Sequence, residues 1–179
     1  PESAAIKHYL LDTLMTLKES SLTQGWSPMR LFILIFISSL LVSLPAVASN
    51  DGLINTQSAH DVKTTADRLE KILKTKGMTV FIRINHAEGA QKTGLTLRPT
   101  ELVIFGNPKV GTPLMKCSQT MAIDLPQKAL IWEDESGTVW LSYNDPSSLA
   151  IRHNIKGCNE VIKKIENALN NFATTATKP

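Results

Sequence analysis

Two stretches of the chain carry apolar residues at the spacing of an amphipathic helix. In residues 61–76 one face holds an apolar stripe, and in residues 157–173 a second stripe recurs from Cys158 to Phe172. Gly77 follows the first stretch and is typical of a helix end. Ser58, with Asp61 three residues later, indicates an approximate capping box at its start. We predict helices over both stretches and a polar, frayed tail over residues 174–179.

Shorter segments carry strand patterns. Residues 52–58 and 78–86 are strand candidates, and in the second Met78, Val80, Ile82 and Ile84 face one way, with His86 ending the strand. Residues 101–105 are almost continuously apolar, which favours an interior strand. Residues 128–133 and 138–144, joined by a turn at 134–137, predict a hairpin. Residues 88–94 indicate a short helical or irregular link, residues 112–121 a helix with Pro113 in its first turn, and residues 147–153 a short helix.

These elements predict an α+β fold. A sheet with helices gathered on one face forms two layers. The short turn between the last two strands makes the sheet mainly antiparallel.

The stretch 29–48 has the pattern of a secretory signal. Arg30 supplies a positive start, residues 31–44 are uncharged, and Ala46-Val47-Ala48 is a cleavage site. We expect cleavage near Ala48/Ser49, a single mature domain over 49–179, and a periplasmic or secreted protein. The alternative is an uncleaved anchor, which would be the protein's only contact with the membrane. Residues 1–28 are an upstream extension of unclear status.

Composition excludes several classes of protein. The 179 residues are 42% hydrophobic and 20% charged, with a net charge of +3. A disordered tract and a multi-span membrane protein do not have this composition. Two cysteines are too few for a disulfide-rich scaffold or a four-cysteine zinc site. The small charge excess gives no argument for nucleic acid, so none is expected as a partner.

Three segments carry a resemblance to a known family. They are TVFIRINHAEGAQKTGLTLRPTELVIFGNPKVGTPLM (79–115), IDLPQKALIWED (123–134) and VWLSYNDPSSLAIRH (139–153). In this order they resemble the family called domain of unknown function 302. The resemblance implies a β-α-β4-α plan similar to the TATA-box-binding-protein-like fold, and a small homodimer. It implies no settled biochemical role.

Two histidines, His86 and His153, fall at motif positions of that family. If they converge, they would act in acid–base chemistry, because imidazole titrates near pH 6.5, or as metal ligands. No spacing supplies the further ligands that a metal normally needs, so no metal site is predicted. The alternative is that each ring locks the end of a strand or helix through hydrogen bonds.

Polar residues at the predicted strand ends are the remaining ligand-binding candidates. Tyr143 and Asn144 end a strand, and we expect them to line the mouth of a pocket with His153 unless they only form a turn. Asn107 follows the apolar strand. The loop 106–112 lacks the GK[ST] ending of a P-loop, which leaves tight turns or an anion pocket using Lys109, Thr112 and Lys128.

The two cysteines, Cys117 and Cys158, lie in a chain that we expect to be exported. An even pair in an oxidising compartment favours one disulfide. Because Cys158 is on an apolar helix stripe, a buried free thiol is the alternative.

Three function hypotheses follow. The first is a homodimeric binding module for an unknown small ligand or ion, with a site near His86, Asn107, Lys128, Tyr143, Asn144 and His153. The second is an enzyme that uses His86 or His153, and the third a structural or partner-binding envelope protein. The sequence predicts no specific cofactor.

Overall fold

The computed structural model describes residues 52–179. The upstream extension at 1–28, the signal at 29–48 and the cleavage point near Ser49 therefore lie outside the described residues. Within residues 52–179, no helix has the length and apolar character to cross a bilayer.

The described chain forms a five-stranded sheet with helices packed on one side. The strands are β1 (Leu53–Gln57), β2 (Thr79–Asn85), β3 (Thr100–Gly106), β4 (Gln127–Glu133) and β5 (Val139–Asn144). Their order in the sheet is β1-β5-β4-β3-β2, and every neighbouring pair is antiparallel. The helices are α1 (Val62–Thr75), α2 (His86–Lys92), α3 (Pro108–Cys117), α4 (Pro146–Arg152) and α5 (Asn159–Thr177). A 3₁₀ turn at Gln119–Ile123 follows α3. The predicted α+β fold is confirmed.

The core lies between α1, α5 and one face of the sheet. Along β3 the buried residues alternate, with Val103 and Phe105 facing the helices. Leu69 and Leu73 of α1 and Leu169 of α5 pack against this face. The strict period-two burial is typical of a sheet that is covered on one side.

The ends of helix α1 are set by a capping side chain at its start and a glycine after its last turn. Asp61 is the N-cap, and its side chain accepts a hydrogen bond of 2.6 Å from the Thr64 backbone N–H. The expected Ser58–Asp61 capping box is wrong, because the Ser58 hydroxyl instead bonds the hydroxyl of Thr65 at 2.7 Å. Gly77 follows the helix with φ of +72°, a conformation that favours glycine.

Strand β2 departs from the predicted alternation. The register against β3 shifts between Val80 and Ile82, so Val80 lies opposite Phe105 and Ile82 opposite Ile104. A β-bulge at Phe81 adds one residue and turns the rest of the strand over. The prediction that Val80 and Ile82 share a face is therefore wrong. His86 does not end the strand but begins α2, which Asn85 caps by accepting from the Glu88 backbone N–H at 2.9 Å.

Helix α3 starts earlier than the pattern predicted. Asn107 caps it and Pro108 is its first residue, an arrangement suited to a position that needs no N–H donor. Pro113 consequently lies inside the helix. The predicted helix over 112–121 is thus two elements, α3 and the 3₁₀ turn.

The last helix extends to Thr177, so the predicted frayed tail is wrong. Ala173, Ala176 and Thr177 are buried. The Arg68 guanidinium donates to the Ala176 carbonyl at 2.9 Å and to the Lys178 carbonyl at 2.7 Å. These bonds satisfy carbonyls that a helix end leaves without partners.

Candidate functional site

The register of the sheet separates the residues predicted to form a site. Phe105 lies opposite Gln127, and Tyr143 opposite Ala129, so β3 and β5 end where β4 begins. Asn107, Lys128, Tyr143 and Asn144 therefore lie at one end of the sheet. His153 belongs to the same end through its bond to Asp124, which precedes β4. His86 follows Asn85, which lies opposite Glu101 at the other end, so the structure does not bring His86 and His153 together.

The residues at the shared end do not face one cavity. Tyr143 points into the core and is buried; burial, together with the charges of Asp145 and Glu166, raises the pKa of its hydroxyl. Lys128 and Asn144 lie on the opposite face of the sheet. The Lys128 ammonium donates to the carbonyls of Asp124 and Pro126, each at 3.2 Å.

His153 forms a chain of polar contacts with the segment before β4. Its Nε2 bonds Asp124 Oδ2 at 2.6 Å, and its Nδ1 shares a hydrogen bond of 2.9 Å with the hydroxyl of Thr120. The side chain is 6% exposed. Arg152 also pairs with Asp124, at 3.3 Å. The contacts join the end of α4 to the 3₁₀ turn, and a hydroxyl, an imidazole and a carboxylate in series also have the connectivity of a nucleophile, a base and an orienting acid.

An ion-pair cluster lies beside the other end of the sheet. Arg83 pairs with the buried Glu101 and with Asp67 and Glu70 of α1. Burial alone would lower the pKa of Arg83, yet the bonds to Glu101 and Asp67 hold it above its ordinary value. The hydrogen bonds from Arg83 and Lys63 lower the pKa of Asp67. The cluster fixes β2 against α1. In the described part of the chain, no three His, Cys, Asp or Glu side chains are grouped so as to hold a metal.

Cys117 and Cys158 form a disulfide, with 6.6 Å between their Cα atoms. Cys117 is the last residue of α3, and Cys158 immediately precedes α5. The bond therefore ties the end of α3 to the start of α5 through two cysteines that are 41 residues apart in the sequence.

These two helices form the walls of a cavity of about 360 Å³, here called the α3–α5 pocket. The ends of β3 and β4 and the segment between α3 and β4 complete it. A volume in this range is typical of small-molecule sites, which span roughly 300–1,000 Å³. The apolar part of the wall includes Met78, Phe81, Val110, Leu114, Met115, Leu125, Ile165, Ala168, Leu169 and Phe172.

A few polar side chains line the same pocket. Gln127 is 7% exposed, and its Nε2 is buried without a hydrogen-bond partner among residues 52–179. Lys164 is the one ionisable residue of the wall. Asn107 and Thr112, both named from the sequence, also line it. The Asn107 amide is already occupied, because it caps α3 and donates to the Gly77 carbonyl at 2.9 Å.

Neither Gln127 nor Lys164 was predicted from the sequence as a site residue. One signal was available for Gln127: it is in phase with Ala129 and Ile131, the inward positions of β4, where an apolar residue is expected. No signal identified Lys164, because it lies in a pair of lysines on the solvent side of a helix.

Part of the chain matches curated proteins. Two curated relatives, "Fluoride-specific ion channel FluC 1" of Brucella suis biovar 1 and "Fluoride-specific ion channel FluC 2" of Brucella melitensis biotype 1, are each 48% identical over 120 residues. The match covers 66% of this chain but 47% and 44% of those proteins. The chain therefore spans less than half the length of these curated relatives.

A solved structure agrees with the fold. The crystal structure of an uncharacterized conserved DUF302 protein from Bacillus stearothermophilus matches with a TM-score of 0.64 at 21% sequence identity. The match covers 72% of this chain and 99% of that one. The profile of the family described as "Domain of unknown function DUF302" matches residues 54–172. Because this match takes in well over half of the chain, the protein belongs to the DUF302 family.

Proposed function

We propose that this protein is an exported, homodimeric binding module whose small ligand occupies the α3–α5 pocket. The observation that carries the proposal is the side-chain amide of Gln127. A buried donor without a partner costs about 1–3 kcal/mol. A ligand that accepts a hydrogen bond from this amide offsets the cost, so the apolar cavity and the unpaired donor together favour binding.

Filling the pocket tests this proposal. The probe is naphthalene, a small fluorescent hydrocarbon, titrated into the full chain. Ala168→Phe places a ring in the pocket wall and is expected to abolish binding. Asn167→Phe, on the exposed side of the same helix, is the matched control and keeps the affinity of the wild type. Equal binding by both variants, with unchanged melting temperatures, would exclude the pocket as the site.

Fluoride is the ion arm of the same titration, because the Brucella relatives are named fluoride-specific channels. A small anion in an apolar cavity loses its hydration with little compensation. We therefore expect sodium fluoride and sodium chloride to shift the melting temperature equally. A fluoride-specific shift in melting temperature that disappears in Gln127→Met would show that the ligand of the pocket is an ion and not a small molecule.

The proposed homodimer is supported by the sheet face that no helix of residues 52–179 covers, here called the uncovered face. The register assigns to this face Ile82, Ile84, Leu102, Ile104, Leu130, Trp132 and Trp140. Ile82 is 50% exposed. Lys128 is the one ionisable side chain that the register places on this face in the described chain. Interface cores are depleted in charge, so a second copy fits this surface. Light scattering gives the mass, and a strict monomer would contradict the dimer.

The polar chain at His153 favours a second candidate function, hydrolysis with Thr120 as nucleophile. The test is turnover of p-nitrophenyl acetate. Hydrolysis that is lost in Thr120→Val and retained in Thr96→Val, which changes an exposed threonine in the same way, would support an enzyme. Equal background rates in all three proteins would leave the contacts of His153 as a structural link between α4 and the 3₁₀ turn.

The proposed export depends on the signal pattern at 29–48. Expression of the full chain in a bacterial host, followed by fractionation and amino-terminal sequencing, measures it. We expect a periplasmic product beginning near Ser49, and a cytoplasmic, uncut product would overturn the proposal.

A further inference from the structure

The charges around the α3–α5 pocket select the kind of ligand. Lys164 is exposed and is the one ionisable residue of the wall, which contains no carboxylate. The neighbouring Lys163 pairs with Glu166 at 3.8 Å. Lys164 itself has no ion pair or hydrogen bond within residues 52–179. The solvent-facing part of the pocket therefore presents one positive charge that is free to meet an anion.

The burial of Gln127 favours a neutral group, and not an anion, in the part of the ligand that contacts it. Its side chain is buried, so a carboxylate placed against it would be shielded from water, and the one cation of the pocket wall, Lys164, is at the exposed surface. Burying an unpaired charge costs much more than burying a neutral oxygen. The amide N–H is therefore best matched by a neutral acceptor, a carbonyl or hydroxyl oxygen.

The size of the cavity limits the body that joins these two groups. At about 30 Å³ per non-hydrogen atom, the volume of a water molecule in the liquid, 360 Å³ holds roughly twelve atoms. The wall between the polar groups is formed by aliphatic and aromatic side chains. The body is therefore a short apolar chain or a single ring system.

Resting on the proposed binding function, we infer that the pocket takes a small apolar carboxylate bearing a neutral oxygen at its far end. The carboxylate lies at the mouth beside Lys164. The apolar body fills the space between α3 and α5. The far oxygen accepts the hydrogen bond that Gln127 otherwise lacks.

Calorimetry with two probes, octanoate and 7-oxooctanoate, tests the class on the full chain. In the wild type we expect 7-oxooctanoate to bind about ten-fold more tightly, because it satisfies a buried donor. Gln127→Met keeps the length of the side chain and removes the donor. In that variant the preference for 7-oxooctanoate is expected to be lost, because its ketone is then buried without a donor. Equal affinities of the two probes for the wild type would contradict the inference that the ligand carries a neutral oxygen at its far end.

The charge at the mouth has its own matched pair of variants. Lys164→Gln is expected to weaken both probes by about three- to five-fold, the effect of an exposed ion pair. Lys163→Gln removes the same charge from the adjacent position and leaves both affinities unchanged. Equal effects of the two substitutions would contradict the inference that the carboxylate of the ligand lies beside Lys164.

The naphthalene titration separates this inference from the proposed function. If naphthalene binds the wild type but neither carboxylate does, the ligand class is wrong and the pocket stands. If naphthalene also fails to bind, the proposed binding function fails with it.

Discussion

Gln127 occupies a position at which its neighbours in phase, Ala129 and Ile131, are apolar and buried. A methionine would fill the same space without a donor to satisfy. Gln127 therefore lowers the free energy of unfolding of the ligand-free protein. We propose that a bound ligand offsets this loss by accepting the hydrogen bond. Residues that act in this way are expected where function and stability conflict.

Gln127→Met is therefore expected to stabilise the protein without ligand. Removing a buried donor that has no partner raises the free energy of unfolding by about 1 kcal/mol. Urea denaturation measures the change. Gln57→Met, on the exposed edge strand β1, is the control and is expected to change little. A loss of stability in Gln127→Met would show that the amide is satisfied in the native state.

Asp134 gives a prediction on pH dependence. Hydrogen bonds from Ser136 and Trp140 lower the pKa of its carboxyl from 3.8 to about 2. A lowered pKa means that the native state favours the ionised form. The resulting stabilisation is complete above about pH 4 and is lost as the pH falls towards 2. Carbon-detected NMR titration is expected to show a midpoint near 2. A midpoint at 3.8 would contradict these bonds.

At the scale of elements, the helices and strands that depend on neighbouring residues could be predicted from the sequence. The apolar stripe and Gly77 were enough to place α1. The bulge at Phe81 was not predictable, since it depends on the pairing of β2 with β3. The extension of α5 depends on Arg68, which is far away in the sequence. The same limit applies to the site: the cysteine pair was readable, whereas the lack of a partner for Gln127 exists only in the folded molecule.

The disulfide is expected to contribute most of its effect through the unfolded chain. A closed loop of 41 residues corresponds to about 4 kcal/mol in the chain-entropy account. The double variant Cys117→Ala, Cys158→Ala is expected to lose up to this amount in urea denaturation. Reduction of the wild type by dithiothreitol gives the matched comparison. An unchanged midpoint in both would show that the bond constrains neither state.

At the scale of the whole molecule, the two proposed activities use opposite sides of one sheet. The α3–α5 pocket lies between the helices and the sheet, whereas the uncovered face lies on the other side of β4. Neighbouring residues of a strand point to opposite faces. Gln127 therefore contributes to the pocket, and Leu130, three positions later, to the uncovered face. Because none of the residues assigned to the uncovered face lines the pocket, changes on the two sides are expected to act independently.

Two substitutions test this separation. Leu130→Lys places a charge at the centre of the uncovered face and is expected to give a monomer that binds naphthalene as tightly as the wild type. Ala168→Phe is expected to give a dimer that binds none. Light scattering measures the mass and fluorescence the affinity for each variant, and Asn170→Lys, on the exposed side of α5, serves as the control for the first. A monomeric Leu130→Lys variant that has also lost naphthalene binding, with its fold intact by circular dichroism, would mean that the pocket is completed by the second copy.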